Sequence, residues 1–157
     1  MKNLIYFTSG MLSGIILILL LIVTYGQSML FDEKESKYEF EETTALLESS
    51  AKKHNWKIPA VHDMQKTMRS IEKEVLSERI YELCKPEYAY EVVRYDNERI
   101  ASTMLPCRVA VYKKSDGKTY VSLMNMNLMG HLMKGSLPDM ITKASADIEE
   151  IVAPLFK

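Results

Sequence analysis

The sequence predicts an α+β domain of two layers, a mixed or antiparallel sheet with helices packed on it, preceded by one transmembrane helix. Three observations carry that expectation. From Asn3 to Phe31 there is no charged residue, and the centre of the run reads GIILILLLIV. In RVAVYKKSDGKTYVSLM, two β-rich runs flank an Asp116-Gly117 turn, the standard hairpin signal. Around that hairpin, apolar spacings switch between the strand period and the helical period, so strands and helices mix along one chain.

The apolar run comes first. It is hydrophobic on every face and has no soluble-helix period. As a helix, Leu4 to Tyr25 spans roughly 30 Å, about the thickness of a bilayer's hydrocarbon core. Residues 1–27 are therefore expected to be a membrane anchor, with the lipid bilayer as the first partner. A cleaved signal peptide is the competing reading. Signal cores run about 7–15 residues and end in a small-x-small cleavage site. Here the run is longer and leaves through TYGQSML. Lys2 and the amino terminus precede the span, and DEKESKYE follows it with more acids than bases. The positive-inside rule then keeps the N-terminus in the cytoplasm and points the domain to the periplasm or exterior. The expected location is the cytoplasmic membrane, crossed once. Gly10 and Gly14 form a GxxxG pair, which lets two helices approach and makes a homodimer a candidate assembly. Such pairs are also common in membrane spans by chance.

Of 157 residues, those beyond the anchor leave room for one domain. The formal net charge is −1, and no basic stripe interleaves with aromatics, which excludes nucleic-acid binding as an electrostatic proposition. No glycine-rich phosphate loop occurs, and no carboxylate pair stands out from ordinary helix-surface acids.

The elements follow in order. Residues 28–36 read as a polar tether and residues 37–157 as the single exported domain. KYEFEE is expected to be a short strand with Tyr38 and Phe40 on one face. EETTALLESSAKKHN has helical spacing, with Leu47 and Ala51 four apart, acids at its start, lysines at its end and Asn55 as a left-handed stop. WKIPAV reads as a strand that Pro59 confines to an edge. Asp63 is a good cap for a helix through MQKTMRSIEKEV, whose buried side would carry Met64 and Met68. SERIYELC alternates as a strand. Pro86 opens a helix over PEYAYEVVRYD, and Ser136 with Pro138 opens the last one. Ile141, Ile148, Ile151 and Val152 form that helix's apolar stripe.

FEETTALLESSAKKHNWKI, LCKPEYAYEVV and LPCRVAVYKKSDGKTYVSLMN together resemble the bacterial and archaeal family called domain of unknown function 302. That family shows an "aCNPe-A" step into a helix and an "LPC-vvVYe" strand. The first appears here as Cys84-Lys85-Pro86-Glu87, with lysine in place of the usual asparagine, and the second is intact from Leu105 to Tyr112. The resemblance covers about Tyr38 to Pro154. It implies a small α+β fold, and since no activity is established for the family it assigns no catalytic residue.

Two sets of side chains are candidates for chemistry. Cys84 and Cys107 are the two cysteines of the chain, each beside a proline at an element boundary. Three readings compete for them: an inert buried pair, a structural disulfide allowed by an oxidising compartment, and a reactive or ligand thiol. Cys84 precedes a helix start, where free N–H groups favour a thiolate, and Lys85 adds positive charge. No CxxC spacing marks a redox motif. The second set is Met126, Met129, His131 and Met133. Thioethers suit Cu(I), and a Met-His pair suits haem iron, so copper or haem is the cofactor alternative. The methionines share a helix face that His131 does not, and such a stripe is more often adaptable core or interface. No cofactor is expected. His54 and His62 read as surface histidines. Enzyme chemistry finds no constellation, and the ligand is unknown. The expected function is a membrane-tethered extracytoplasmic binding or interaction module. A thiol-based redox or sulfur-handling protein is the alternative.

Overall fold

The computed structural model describes residues 2–156. Helix α1 (Lys2–Leu30) opens the chain. Its stretch Gly10–Leu30, 21 residues with a mean hydropathy of 2.0, is long and apolar enough to cross a membrane. Beyond it stands an α+β domain built on one five-stranded antiparallel sheet, β1 (Phe31–Glu35), β2 (Val61–Asp63), β3 (Glu78–Leu83), β4 (Cys107–Lys113) and β5 (Thr119–Met124). The spatial order is β1-β5-β4-β3-β2. The predicted hairpin is its centre, with Val111 opposite Val121 and Val109 opposite Leu123.

One face of the sheet is the core. Opposed residues share a face, so Leu83 and Cys107, Tyr81 and Val109, and Val111 and Val121 all point the same way. Helices α2 (Phe40–Lys53) and α6 (Leu137–Val152) cover that face. Leu47 and Ala51 of α2 and Ile141, Ile148, Ile151 and Val152 of α6 are buried, as their spacing predicts. Asn55 stops α2 with φ of 61°, and the Asp63 carboxylate accepts from the Lys66 N–H at 2.8 Å to cap α3 (Met64–Arg69). Pro86 begins α4 (Pro86–Val93), and Asn125 caps a short α5 (Met126–His131) by accepting from the Leu128 N–H at 3.1 Å.

Four expectations need correction. The polar tether over 28–36 is instead the end of α1 and the edge strand β1, which pairs with β5 from Phe31–Met124 to Glu35–Tyr120. Every residue of β1 is exposed, so no burial alternation signals a strand; the open edge of β5 supplies the partners that make it one. The strand expected over KYEFEE is the lead-in and first turn of α2. Ser36 is hydrogen-bonded to Thr43 (2.8 Å) and accepts from the Tyr38 N–H (3.2 Å), while Glu41 and Glu42 suit a helix N-terminus. The helix after Asp63 ends at Arg69, far short of Val75, and Met64 and Met68 are only half-buried. Ile71, Val75 and Leu76 are exposed, so the continuation of that stripe has nothing to pack on. The WKIPAV strand is also interrupted: Lys57 makes one bridge to Cys84, and the ladder resumes at Val61 after Pro59.

Ser136 stands at the start of α6 without capping it through its own hydroxyl. Glu98 reaches across instead, accepting from the Ser136 N–H at 2.9 Å and from its hydroxyl at 2.6 Å. Those bonds hold the Glu98 carboxyl below its usual range. Gly135 makes room for this brace. Its φ is +74°, and a Cβ there would collide with the Glu98 carboxylate. Gly135→Ala is expected to lower stability by about 1–2 kcal/mol from the left-handed backbone alone, read as a lower urea midpoint of the full chain in detergent. An unchanged midpoint would show that the turn relaxes freely and that the brace is dispensable.

Candidate functional site

A cavity of about 300 Å3 lies at the end of the sheet where β3 leaves, β4 enters and β5 leaves. Its apolar wall comes from Leu83, from Val92 on α4, from Ala101 in the turn Arg99–Met104, and from Ile141 and Ile148 on α6. The lining also takes in Ile80, Ala110 and Ser122, which alternate to the other face of the sheet.

Both candidate cysteines line it. Cys107 opens β4 opposite Leu83, so Cys84, one residue past the end of β3, is its diagonal neighbour along the backbone, with its side chain turned to the other face of the sheet. Cys84 is pinned on its other side by the paired N–H···O bonds with Lys57, both 2.9 Å. Both residues are free thiols. Burial, and then the neighbouring Cys84, push the Cys107 thiol up to about 11. A thiol so placed is neutral at physiological pH and is a poor nucleophile by itself.

Met126, at the start of α5, brings a third sulfur to the same cavity: its Sδ lies 4.0 Å from Cys107 Sγ. The rest of the predicted methionine set does not join it as a group. Met126 and Met133 pack against the core, and Met129 is half-buried. His131 is exposed, its Nδ1 within 2.7 Å of the Asn127 carbonyl, and it does not converge with the methionines. Gly130 lets α5 lie close on α6, since a Cβ there would come within 3.3 Å of Ile141 Cγ2. His54 faces Glu150 at 3.5 Å and His62 faces Glu82 at 3.1 Å, both outside the cavity wall. Among the described residues, no three His, Cys, Asp or Glu side chains come together as a metal-holding group.

The sequence reading missed the charged rim. Asp147 Oδ2 accepts from Lys85 Nζ at 2.6 Å, from Trp56 Nε1 at 3.1 Å and from the Tyr88 hydroxyl at 3.1 Å. Lys85, Trp56 and Tyr88 all line the cavity. Burial pulls the Asp147 carboxyl up, but the bonds from Lys85, Trp56 and Tyr88 together hold it below its usual range. The Lys85 ammonium is pushed up in turn by Asp147. The positive charge expected beside Cys84 is thus spent on a carboxylate rather than on the thiol. Asp147 is 62 residues from Lys85 and 91 from Trp56, so local spacing carries no trace of the cluster. Its one signal is an acid set beside the apolar stripe of α6, facing the chain's single tryptophan.

Two outcomes follow. Asp147→Ala leaves the buried Trp56 N–H unpaired and is expected to cost about 1–3 kcal/mol, measured by denaturant unfolding; a loss within error would show that water replaces the carboxylate. Folded Cys107 keeps its proton between its ordinary value of 9.0 and about 11, while the unfolded chain releases it. Stability is therefore complete below pH 9 and falls towards pH 11, by about 2–3 kcal/mol for this group. Cys107→Ala should flatten that part of the pH profile, and identical slopes in both proteins would assign the loss elsewhere.

Known proteins carry the same domain. The family described as "Domain of unknown function DUF302" matches residues 32–155. An uncharacterized protein of Aquifex aeolicus (strain VF5) is 26% identical over 142 residues, which is 88% of this chain and 92% of that protein. The crystal structure of an uncharacterized conserved DUF302 protein from Bacillus stearothermophilus superimposes with a TM-score of 0.72 at 17% identity, over 81% of this chain and 98% of that one. At that identity the likeness is one of fold. The family match begins inside β1, which places the edge strand in the domain and α1 before it. The chain belongs to the family of domain of unknown function DUF302.

Proposed function

We propose that this chain is a membrane-tethered binding module, carried outside the cytoplasmic membrane, whose ligand site is the cavity at the end of the sheet. The observation that carries the reading is where that cavity lies. It opens at the same end of the sheet at which α1 joins the domain. The Leu30 carbonyl, the last of α1, accepts from the Asn125 N–H at 2.8 Å, and Phe31 and Met124 beside it line the cavity. Both are about half exposed, at 47% and 46%. A tether through α1 therefore sets the mouth on the bilayer side of the domain. At about 300 Å3 the space is at the small end of ligand pockets, and its wall of apolar side chains with a few fixed polar groups is the usual make-up of one.

The acids after α1 and the lysine before it support an outward-facing domain. The thiol-redox reading is less well supported, because the Cys107 thiol is held neutral and Lys85 is engaged by Asp147.

The test is made on the full chain in spheroplasts. A membrane-impermeant amine reagent is expected to label the domain's surface lysines as fully as after lysis, and the chain should remain in the membrane fraction through an alkaline carbonate wash. Protection of the domain until lysis, or release by carbonate, would overturn the tethered, outward-facing reading.

A further inference from the structure

The cavity at the end of the sheet has two apolar surfaces. Leu83, Val92 and Ile148 line it from the core. Phe31, Met124, Ala110 and Ile80 line it from the open face of the sheet, where Phe31 stands opposite Met124 and Ile80 opposite Ala110. We infer that the ligand is a single hydrocarbon chain, which a free fatty acid or one acyl chain of a phospholipid supplies. This rests on the cavity being the ligand site and names the class of ligand it takes.

The polar groups of the lining leave little else to recognise. Asp147 already holds Lys85, Trp56 and Tyr88, and the Asn125 side chain already caps α5. The other charged residues of the lining, Asp32, Arg108 and Glu149, are of both signs and favour no one head group. What the walls reward is buried hydrocarbon, worth about fourfold in affinity for each methylene taken from water.

Size and shape agree with one chain. At roughly 30 Å3 for a water-sized group, the cavity of about 300 Å3 holds about ten methylenes. The open-face residues belong to the four adjacent strands β1, β5, β4 and β3, so their row is about 14 Å long. A narrow strip of that length fits an extended chain better than a compact ring. The row also begins where hydrocarbon is nearest: Phe31 directly follows Leu30, the last residue of α1. No bond is made or broken on binding.

The protein carries its own reporter. Trp56 is the single tryptophan of the chain, is buried, and lines this cavity, while the anchor has none. Bromine on a bound chain therefore quenches Trp56 by contact. The test uses the full chain in phosphatidylcholine nanodiscs and reads Trp56 fluorescence in two arms. One adds terminally brominated dodecanoic acid; the other replaces the lipid with phosphatidylcholine brominated on one acyl chain. Saturable loss of fluorescence is expected. Loss in the first arm alone assigns a free acid, and loss in the second assigns a chain drawn from the bilayer.

Ala89→Phe, which puts a ring on the cavity wall, should abolish the quenching. Phe31→Ser and Met124→Ser, at half-exposed positions that spare the core, should weaken it. Ile71→Ser, an exposed apolar position outside the lining, should leave it unchanged. Circular dichroism of each variant separates lost binding from lost fold. A folded wild-type chain quenched in neither arm would overturn the inference. So would quenching that persists undiminished in folded Ala89→Phe, Phe31→Ser and Met124→Ser. Either failure leaves the spheroplast labelling untouched, so the chain ligand and the tether stand or fall separately.

Discussion

The register of β3 against β4 is the constraint on which the rest of the domain depends. It turns Tyr81, Leu83, Val109 and Val111 towards the helices, where none is measurably exposed. Each such side chain is worth about 1.5–3 kcal/mol of burial. A slip of one residue would set Tyr81 and Leu83 opposite Ala110 and Arg108, so that only one strand of the pair could keep its apolar side chains on the core face. The same register puts Cys107 opposite Leu83, on the core side where the cavity opens. Core packing and the sulfur-lined cavity are therefore not separate designs; one pairing of two strands sets both.

Charge does a different job at each end of α6. Near its start, Glu98 ties the turn before the helix to the segment after α4. Towards its end, Asp147 gathers Lys85, Trp56 and Tyr88. Both carboxylates bind groups distant in sequence, and the partners of Asp147 line the cavity. The Lys85 ammonium also lies 4.8 Å over the Tyr88 ring, and Trp56 meets that ring edge-on at 5.9 Å. Such a cluster resists rearrangement because each member is held by more than one partner.

How much of this was legible depended on where the physical signal is stored. Asp63, Asn55, Pro86 and the Asp116-Gly117 turn act on their immediate neighbours, so their caps and turns were readable from a few letters. The apolar stripe of α6 was readable because its partner is a whole face of the sheet. Strand β1 was not, because FDEKE is exposed on both sides and is a strand only by virtue of the edge of β5. Helix α3 was overread, because a stripe that includes Ile71 and Val75 implies a packing surface that the fold does not provide. The sequence marks the two cysteines as a pair, but the companion of Cys107 is hidden. Met126 was grouped with its neighbours on α5, whereas the contact that matters joins it to Cys107 across 19 residues.

The passage from α1 into β1 takes no residues at all. A flexible leash of nine residues, the length first expected there, would let a domain wander by about 15–18 Å. A helix that runs straight into a sheet edge grants no such freedom. For a helix lying in a bilayer, the domain's height and tilt follow those of the helix. The cavity mouth then stays at a constant level above the headgroups, and whatever reaches it must arrive by lateral diffusion in the plane or by passing through a thin, fixed layer of solvent. On the tethered reading, the domain meets any ligand at that one level.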